Sequence, residues 1–159
     1  VPRVRKLAES LKTAESRVEQ LTARLAQQAG DELAARAETF GATRAVVGWL
    51  PQFDVDGLRL VGDRVREELG GHSAGLLAGG VKDDRLSYII FVGDDLKGTL
   101  PAGRLARTVG AAFGGGGGGR PELASGGGRV DRLEAGQEAF RAELRNLAAD
   151  APEPGNPVG

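Results

Sequence analysis

The 159-residue chain contains no cysteine, no methionine and a single histidine. Without cysteine there is no disulfide and no thiolate metal site, which fits a reducing compartment. One histidine, His72, cannot build a histidine-based metal cluster or a conventional catalytic triad. No apolar run approaches membrane-spanning length and no signal peptide opens the chain, so the expectation is a cytoplasmic protein with no membrane partner. Aromatic residues are scarce, at 4% against 40% hydrophobic, so Leu, Val and Ala must fill the core. The missing Met, with Val-Pro-Arg-Val-Arg already in helical rhythm, leads us to expect a piece of a longer protein.

Charge nearly cancels, at a formal net of −1, but its distribution is uneven. Residues 101–132 carry five basic side chains (Arg104, Arg107, Arg120, Arg129, Arg132) against two acidic ones, whereas residues 133–159 carry two against five. A local basic window on a neutral chain can dock an anion without general stickiness for nucleic acid.

What is abundant is glycine. The stretch GGGGGGRPELASGGG, Gly114 to Gly128, holds nine glycines in fifteen residues. Gly114, Gly116 and Gly119 satisfy the dinucleotide pattern G-x-G-x-x-G, but six consecutive glycines satisfy almost any glycine pattern, and here a helix precedes where a strand should. Gly114 to Arg120 also imitates a P-loop, with Arg120 in place of Lys and Pro121 where Ser or Thr must hold magnesium, so it fails as a nucleotide hydrolase site. Nor is it plain linker: Arg120 to Ser125 interrupts the run with a charged, stiff and apolar order. A loop folded back on the domain is expected, its glycines allowing a ribose-phosphate to approach closely.

The surrounding pattern is regular. Val4, Leu7, Leu11, Ala14, Val18, Leu21 and Leu25 alternate steps of three and four, the a/d stripe of a coiled coil, with Gln28 in the next slot. Such a stripe must pack on something, either a second helix of the chain or the same helix of another copy. Gly30-Asp31 is expected to break this helix and cap a second, Glu32 to Phe40, which is too short to cover the stripe; self-association is the more economical expectation. Thr43 to Pro51 reads as a buried strand. Asp54 or Asp56 then caps a helix carrying Leu58, Val61, Val65 and Leu69 and closing at Gly70-Gly71. Two apolar runs flanking Lys82-Asp83-Asp84 read as a β-hairpin. A helix from Gly103 to Phe113 leads into the glycine stretch, and a last helix starts at Val130. Asp83-Asp84 and Asp94-Asp95 fall at turns as ordinary solvated carboxylates. The fold class is α/β: a helical, coiled-coil-like arm over 1–40, a small globular domain with a sheet flanked by helices over 41–149, and a disordered Pro/Gly-rich tail over 150–159.

The segment Leu100 to Gly128 closely resembles the C-terminal domain of alanyl-tRNA synthetases, of the DHH-associated domain type. Arg120, Pro121, Glu122, Leu123, Ala124, Gly126 and Gly127 each fall on that family's glycine-cluster pattern, and the upstream helix and hairpin are similar as well. The unbroken run of six glycines departs from the family's interrupted one. The resemblance implies a domain without catalytic residues, metal or cofactor of its own; ATP, magnesium and zinc belong to the parent alanine–tRNA ligase. It implies contact with the outer corner of alanine tRNA, supporting aminoacylation and editing. The candidate tRNA-binding residues are Lys97, Arg104, Arg107, Gly116, Gly117, Gly118, Gly119, Arg120, Pro121 and Arg129. The candidate dimerisation residues are Val4, Leu7, Leu11, Val18, Leu21 and Leu25. Single-stranded or other nucleic acid offers the same phosphates. The alternative is therefore the nucleic-acid-binding domain of a DHH-type phosphoesterase or single-strand exonuclease, although that family's glycine motif ends in His where Arg120 stands and no Asp-His-His motif occurs here.

Overall fold

The computed structural model describes residues 2–150, with side chains described over 6–149. The expected disordered tail beyond Asp150 and the side chain of Val4 lie outside the described residues. Helix α1 spans Pro2–Ala35 without interruption, so the expected break at Gly30-Asp31 is corrected. Tertiary packing explains it. A Cβ on Gly30 would lie 2.7 Å from the Cβ and Cγ of Arg64, so glycine here lets two helices touch. Asp31 does not cap a new helix; its carboxylate accepts a 2.6 Å hydrogen bond from Arg64 Nε, which together with that charge holds the guanidinium pKa above its ordinary value. The expected second helix is corrected too: α1 closes on 3₁₀-like bonds from Arg36 N and Ala37 N to the carbonyls of Leu33 and Ala34. The chain then forms a short strand β1, Glu38–Phe40.

Among the described residues one sheet of six strands follows the order β1-β2-β3-β4-β6-β5. Strand β2 (Thr43–Leu50) pairs parallel with β3 (Ser73–Lys82), and helix α2 (Val55–Leu69) makes the crossover between them. Of the two candidate caps for α2, Asp54 does the work, its side chain accepting from Gly57 N at 2.8 Å; Gly70, at φ 82°, ends the helix. Strand β4 (Arg85–Val92) returns antiparallel through a turn in which Asp83 adopts φ 57°.

The two faces of the sheet are separated by strand alternation. Leu86, Tyr88, Ile90 and Val92 pack under helix α3 (Ala102–Ala112) and helix α4 (Leu133–Asp150), with Phe113, Phe140 and Leu144. Ile89 and Phe91 face α1 and α2, with Val46, Leu77, Leu58, Val61 and Val65. Since β3 is buried on both faces, its apolar run is nearly continuous.

The glycine stretch is a correction as well. It is a pair of strands, β5 (Gly116–Gly119) and β6 (Leu123–Arg129), added antiparallel beyond β4, with β5 at the sheet edge. The side-chain-free strand β5 forms here because α3 lies directly against its backbone. A Cβ on Gly110 would come 2.8 Å from the Gly116 carbonyl carbon and from the Tyr88 hydroxyl, and one on Gly103 would come 2.5 Å from the Gly119 carbonyl oxygen. Tyr88 is the post of this arrangement. Its buried hydroxyl donates to the Ala106 carbonyl at 2.9 Å and lies 3.3 Å from that of Gly116, joining helix to edge strand, and burial pushes its pKa up to about 12.

Candidate nucleic-acid interface

Helix α2 packs over β3 and β4 and reaches β6 at its first residue, Leu123, leaving the same face of β5 open. On that side β5 presents only main chain, while β6 adds the side chains of Leu123 and Ser125. A Cβ on Gly116 or Gly118 would meet nothing within 4 Å, and neither residue has a positive φ. Their neighbour Gly117 points the other way, where a Cβ would fall on the Tyr88 hydroxyl. The all-glycine strand therefore has a packed side, where glycine is sterically required, and an open side, where the fold does not require it.

The open side forms the floor of a cleft of about 480 Å³ between α2 and the hairpin. Gly118, Gly119 and Ser125 line it from the hairpin, Arg120 and Glu122 from the turn, and Arg59 and Arg66 from α2. The turn is held rigidly: Arg120 N donates to the Leu123 carbonyl, while the first amides of α3, Ala102 N and Gly103 N, donate to the Pro121 and Arg120 carbonyls at 2.8 and 3.2 Å. Those carbonyls occupy donors that a helix N-terminus otherwise leaves for an anion. Anion affinity must come from the guanidinium groups. Arg66 and Arg120 make no ion pair within 4 Å among the described residues, and Arg59 has only a 3.8 Å contact with exposed Asp56. Three cations beside a flat strip of backbone suit a polyanion whose phosphates meet the arginines while sugars or bases lie on the glycines.

The residues singled out from the sequence separate in space. Gly118, Gly119 and Arg120 share the cleft. Gly116 has open space beside it but lies outside the cleft lining, Gly117 is turned onto Tyr88, and Pro121 acts through its carbonyl to α3. Arg104 and Arg107 are exposed on α3, which covers the opposite face. Arg129 stands at the far end of the hairpin, paired with Asp131 at 2.9 Å, and Lys97 lies in the 93–100 loop, 3.5 Å from Asp94. Leu7, Leu11, Val18, Leu21 and Leu25 are exposed along α1. Arg59 and Arg66 were not singled out. Their spacing of seven places them on one flank of α2, beside its apolar stripe, but only the crossover brings that flank to the hairpin. Among the described residues no three His, Cys, Asp or Glu side chains converge as metal ligands, and no helix is long and apolar enough to cross a membrane.

Comparison with known proteins assigns this architecture. The model of the DHHA1 domain matches residues 42–146. The chain belongs to the DHHA1 domain family. Its DHHA1 segment is shared with alanine–tRNA ligases: the chain is 38% identical over 126 residues to that of Thiobacillus denitrificans, covering 77% of this chain and 14% of the relative. It is 36% identical over 128 residues to that of Cupriavidus necator, covering 80% and 14%. The chain thus spans about 14% of the length of these curated relatives. The crystal structure of the C-Ala domain from Aquifex aeolicus alanyl-tRNA synthetase matches with a TM-score of 0.61 at 27% identity, over 70% of this chain and 97% of that one. The crystal structure of exonuclease RecJ bound to manganese matches with a TM-score of 0.62 at 20% identity, over 96% of this chain and 35% of that one; this likeness is one of fold alone.

Proposed function

We propose that this DHHA1 chain is the C-terminal, tRNA-binding part of a cytoplasmic alanine–tRNA ligase, that it binds alanine tRNA in the cleft between α2 and the glycine hairpin, and that its arm associates two copies. The observation that carries the tRNA reading is the conjunction of Arg59, Arg66 and Arg120 around a cleft in which the edge strand β5 offers bare main chain at Gly118. Such a surface reads shape and phosphate spacing and is suited to the folded corner of a tRNA, where backbone turns and bases are unstacked. Few aromatics are available for stacking, so binding is of moderate strength and salt-sensitive. The ligation itself, with its ATP, magnesium and zinc, belongs to the whole enzyme, to which this part lends affinity and through which it supports aminoacylation and editing.

The test is fluorescence anisotropy with labelled alanine tRNA across a salt series. Arg59→Gln, Arg66→Gln and Arg120→Gln should each weaken binding about tenfold and flatten the log–log salt slope by about one. Arg104→Gln, outward on α3, should stay within about twofold of the parent, because it loses no phosphate contact. Unchanged binding by Arg120→Glu at low salt removes the site assignment. Footprinting should show protection at the corner of the tRNA; protection confined to the acceptor end would count against the reading.

A further inference from the structure

The cleft occupies one end of the sheet face on which it lies. Along β6 that face carries Leu123, Ser125, Gly127 and Arg129, the alternate set from Ala124, Gly126 and Gly128, which turn toward Tyr88, Phe113 and the core under α3. On β5, Gly118 lies opposite Ser125 and Gly116 opposite Gly127. A Cβ on Gly116 would meet nothing within 4 Å, and one on Gly127 would meet only the Leu86 carbonyl oxygen, at 3.3 Å. The glycine floor therefore runs on past the cleft, two strands wide, and reaches no further side chain until Arg129. There the face carries a row of cations. Lys82 of β3 lies directly opposite Arg85 of β4, and Arg85 directly opposite Arg129 of β6. Residues so opposed share a face, so all three stand on the face of the cleft, and all three are exposed.

Like charges directly opposite one another weaken a sheet. Neighbouring acids relieve this row at one place only. Asp131 holds Arg129 at 2.9 Å, whereas among the described residues neither Asp83 and Asp84 of the turn nor any other carboxylate pairs with Lys82 or Arg85 within 4 Å. Resting on the reading of the cleft as the tRNA site, we infer that the cleft is one end of a track. The RNA strand held by Arg59, Arg66 and Arg120 runs over Gly118 and Gly116, and its phosphates are held again by Lys82, Arg85 and Arg129 at the far end. Charge complementarity picks the occupant: two groups of cations joined by a bare floor fit one extended polyanion and not a small anion. From Leu123 to Arg129, β6 measures about 20 Å at about 3.3 Å per residue. That is the length of about six stacked nucleotides at about 3.4 Å each. Gly116, which lies outside the cleft, is then a residue the ligand crosses.

Arg85 separates the two ends experimentally, because its loss should weaken binding without weakening the fold. In titrations of the full chain with alanine tRNA across a salt series, Arg85→Gln and Lys82→Gln should each bind several-fold more weakly and flatten the log–log salt slope by about one. Arg85→Gln combined with Arg120→Gln should flatten it by about two, at one tRNA per chain. Arg85→Gln should melt no lower than the parent, since it removes a like-charge opposition. If Arg120→Gln flattens the slope while Arg85→Gln and Lys82→Gln leave it unchanged, the track is overturned and the cleft stands. If Arg120→Gln has no effect, the cleft falls and the track with it. A stoichiometry of two tRNAs per chain would make the cation row a separate site. A binding loss in Arg85→Gln accompanied by lower melting would make Arg85 a support of the fold. Either result would also overturn the track.

Discussion

Adjacent glycines of β5 should respond oppositely to the same added methyl group. In Gly118→Ala the new Cβ meets nothing within 4 Å on a backbone that alanine adopts freely. Its main effect on stability is to reduce the freedom of the unfolded chain, a gain of about 0.4–1 kcal/mol. For a chain of this size that raises Tm by about 1–3 °C. In Gly117→Ala the methyl is directed at the Tyr88 hydroxyl, with the Ser125 carbonyl oxygen 3.0 Å away. The tyrosine must move, which strains the core by about 1–3 kcal/mol. Moving it also breaks the 2.9 Å bond to Ala106 and the 3.3 Å contact with Gly116. That loss costs about another 1 kcal/mol. After the unfolded-state gain, a net loss of about 2–3 kcal/mol lowers Tm by roughly 5–10 °C.

Binding should reverse the order for the stable variant. The Gly118 methyl stands on the floor of the cleft, so Gly118→Ala should bind alanine tRNA several-fold more weakly while melting higher than the parent. Calorimetric melting and anisotropy titration on the same preparations measure the two quantities. If Gly118→Ala loses as much stability as Gly117→Ala, the two-sided strand is wrong. If Gly118→Ala is stabilised and binds normally, the strand is as described but the ligand lies elsewhere.

Two further perturbations probe the supports of the site. Tyr88 has a folded pKa of about 12 against 10.0 when free, so its protonated form stabilises the fold fully below pH 10 and that contribution is lost as pH rises from 10 to 12. Denaturant unfolding over this range should show a loss of about 2–3 kcal/mol that Tyr88→Phe removes, Tyr88→Phe itself being about 1 kcal/mol less stable at pH 7; equal slopes for both proteins would deny the phenol this role. Gly30→Leu forces a side chain into Arg64, whose Cβ and Cγ lie 2.7 Å from even a methyl, so α1 must lift from α2 at a cost of about 1–3 kcal/mol. A spin-label distance between the arm and the domain should broaden, and an unchanged distribution would mean that the helices do not pack at Gly30.

How far the sequence foretells this fold depends on whether a segment's signal is local. The β3–β4 hairpin is legible because alternation along Leu86 to Val92 assigns Tyr88 and Ile90 to one face and Ile89 and Phe91 to the other. The start and end of α2 are legible because Asp54 and Gly70 act within a few residues of themselves. Gly30-Asp31 fails because the same dipeptide that ends a helix in isolation also lets one helix touch another, and the deciding residue, Arg64, lies far along the chain. Strand β1 fails for a related reason: it is three residues whose extended form depends on pairing Phe40 with Thr43, while their apolar spacing still suits a helix.

The candidate site divides along the same line. Arg120 and its glycines lie within one motif and could be found together; Arg59 and Arg66 reach them only through the crossover, about sixty residues away in sequence. The glycine strands are the extreme case. Strand periodicity is read from side chains, and a strand without side chains has no period to read. What makes Gly116–Gly119 a strand lies outside it, in Gly103, Gly110 and Tyr88, which fit only if the hairpin presents bare backbone to them. That fit accounts for Gly117 and leaves Gly116 and Gly118 unexplained by packing. Two residues with room for a side chain, ordinary backbone angles and none the less no side chain, beside three arginines, are better explained by what must approach them than by what they support.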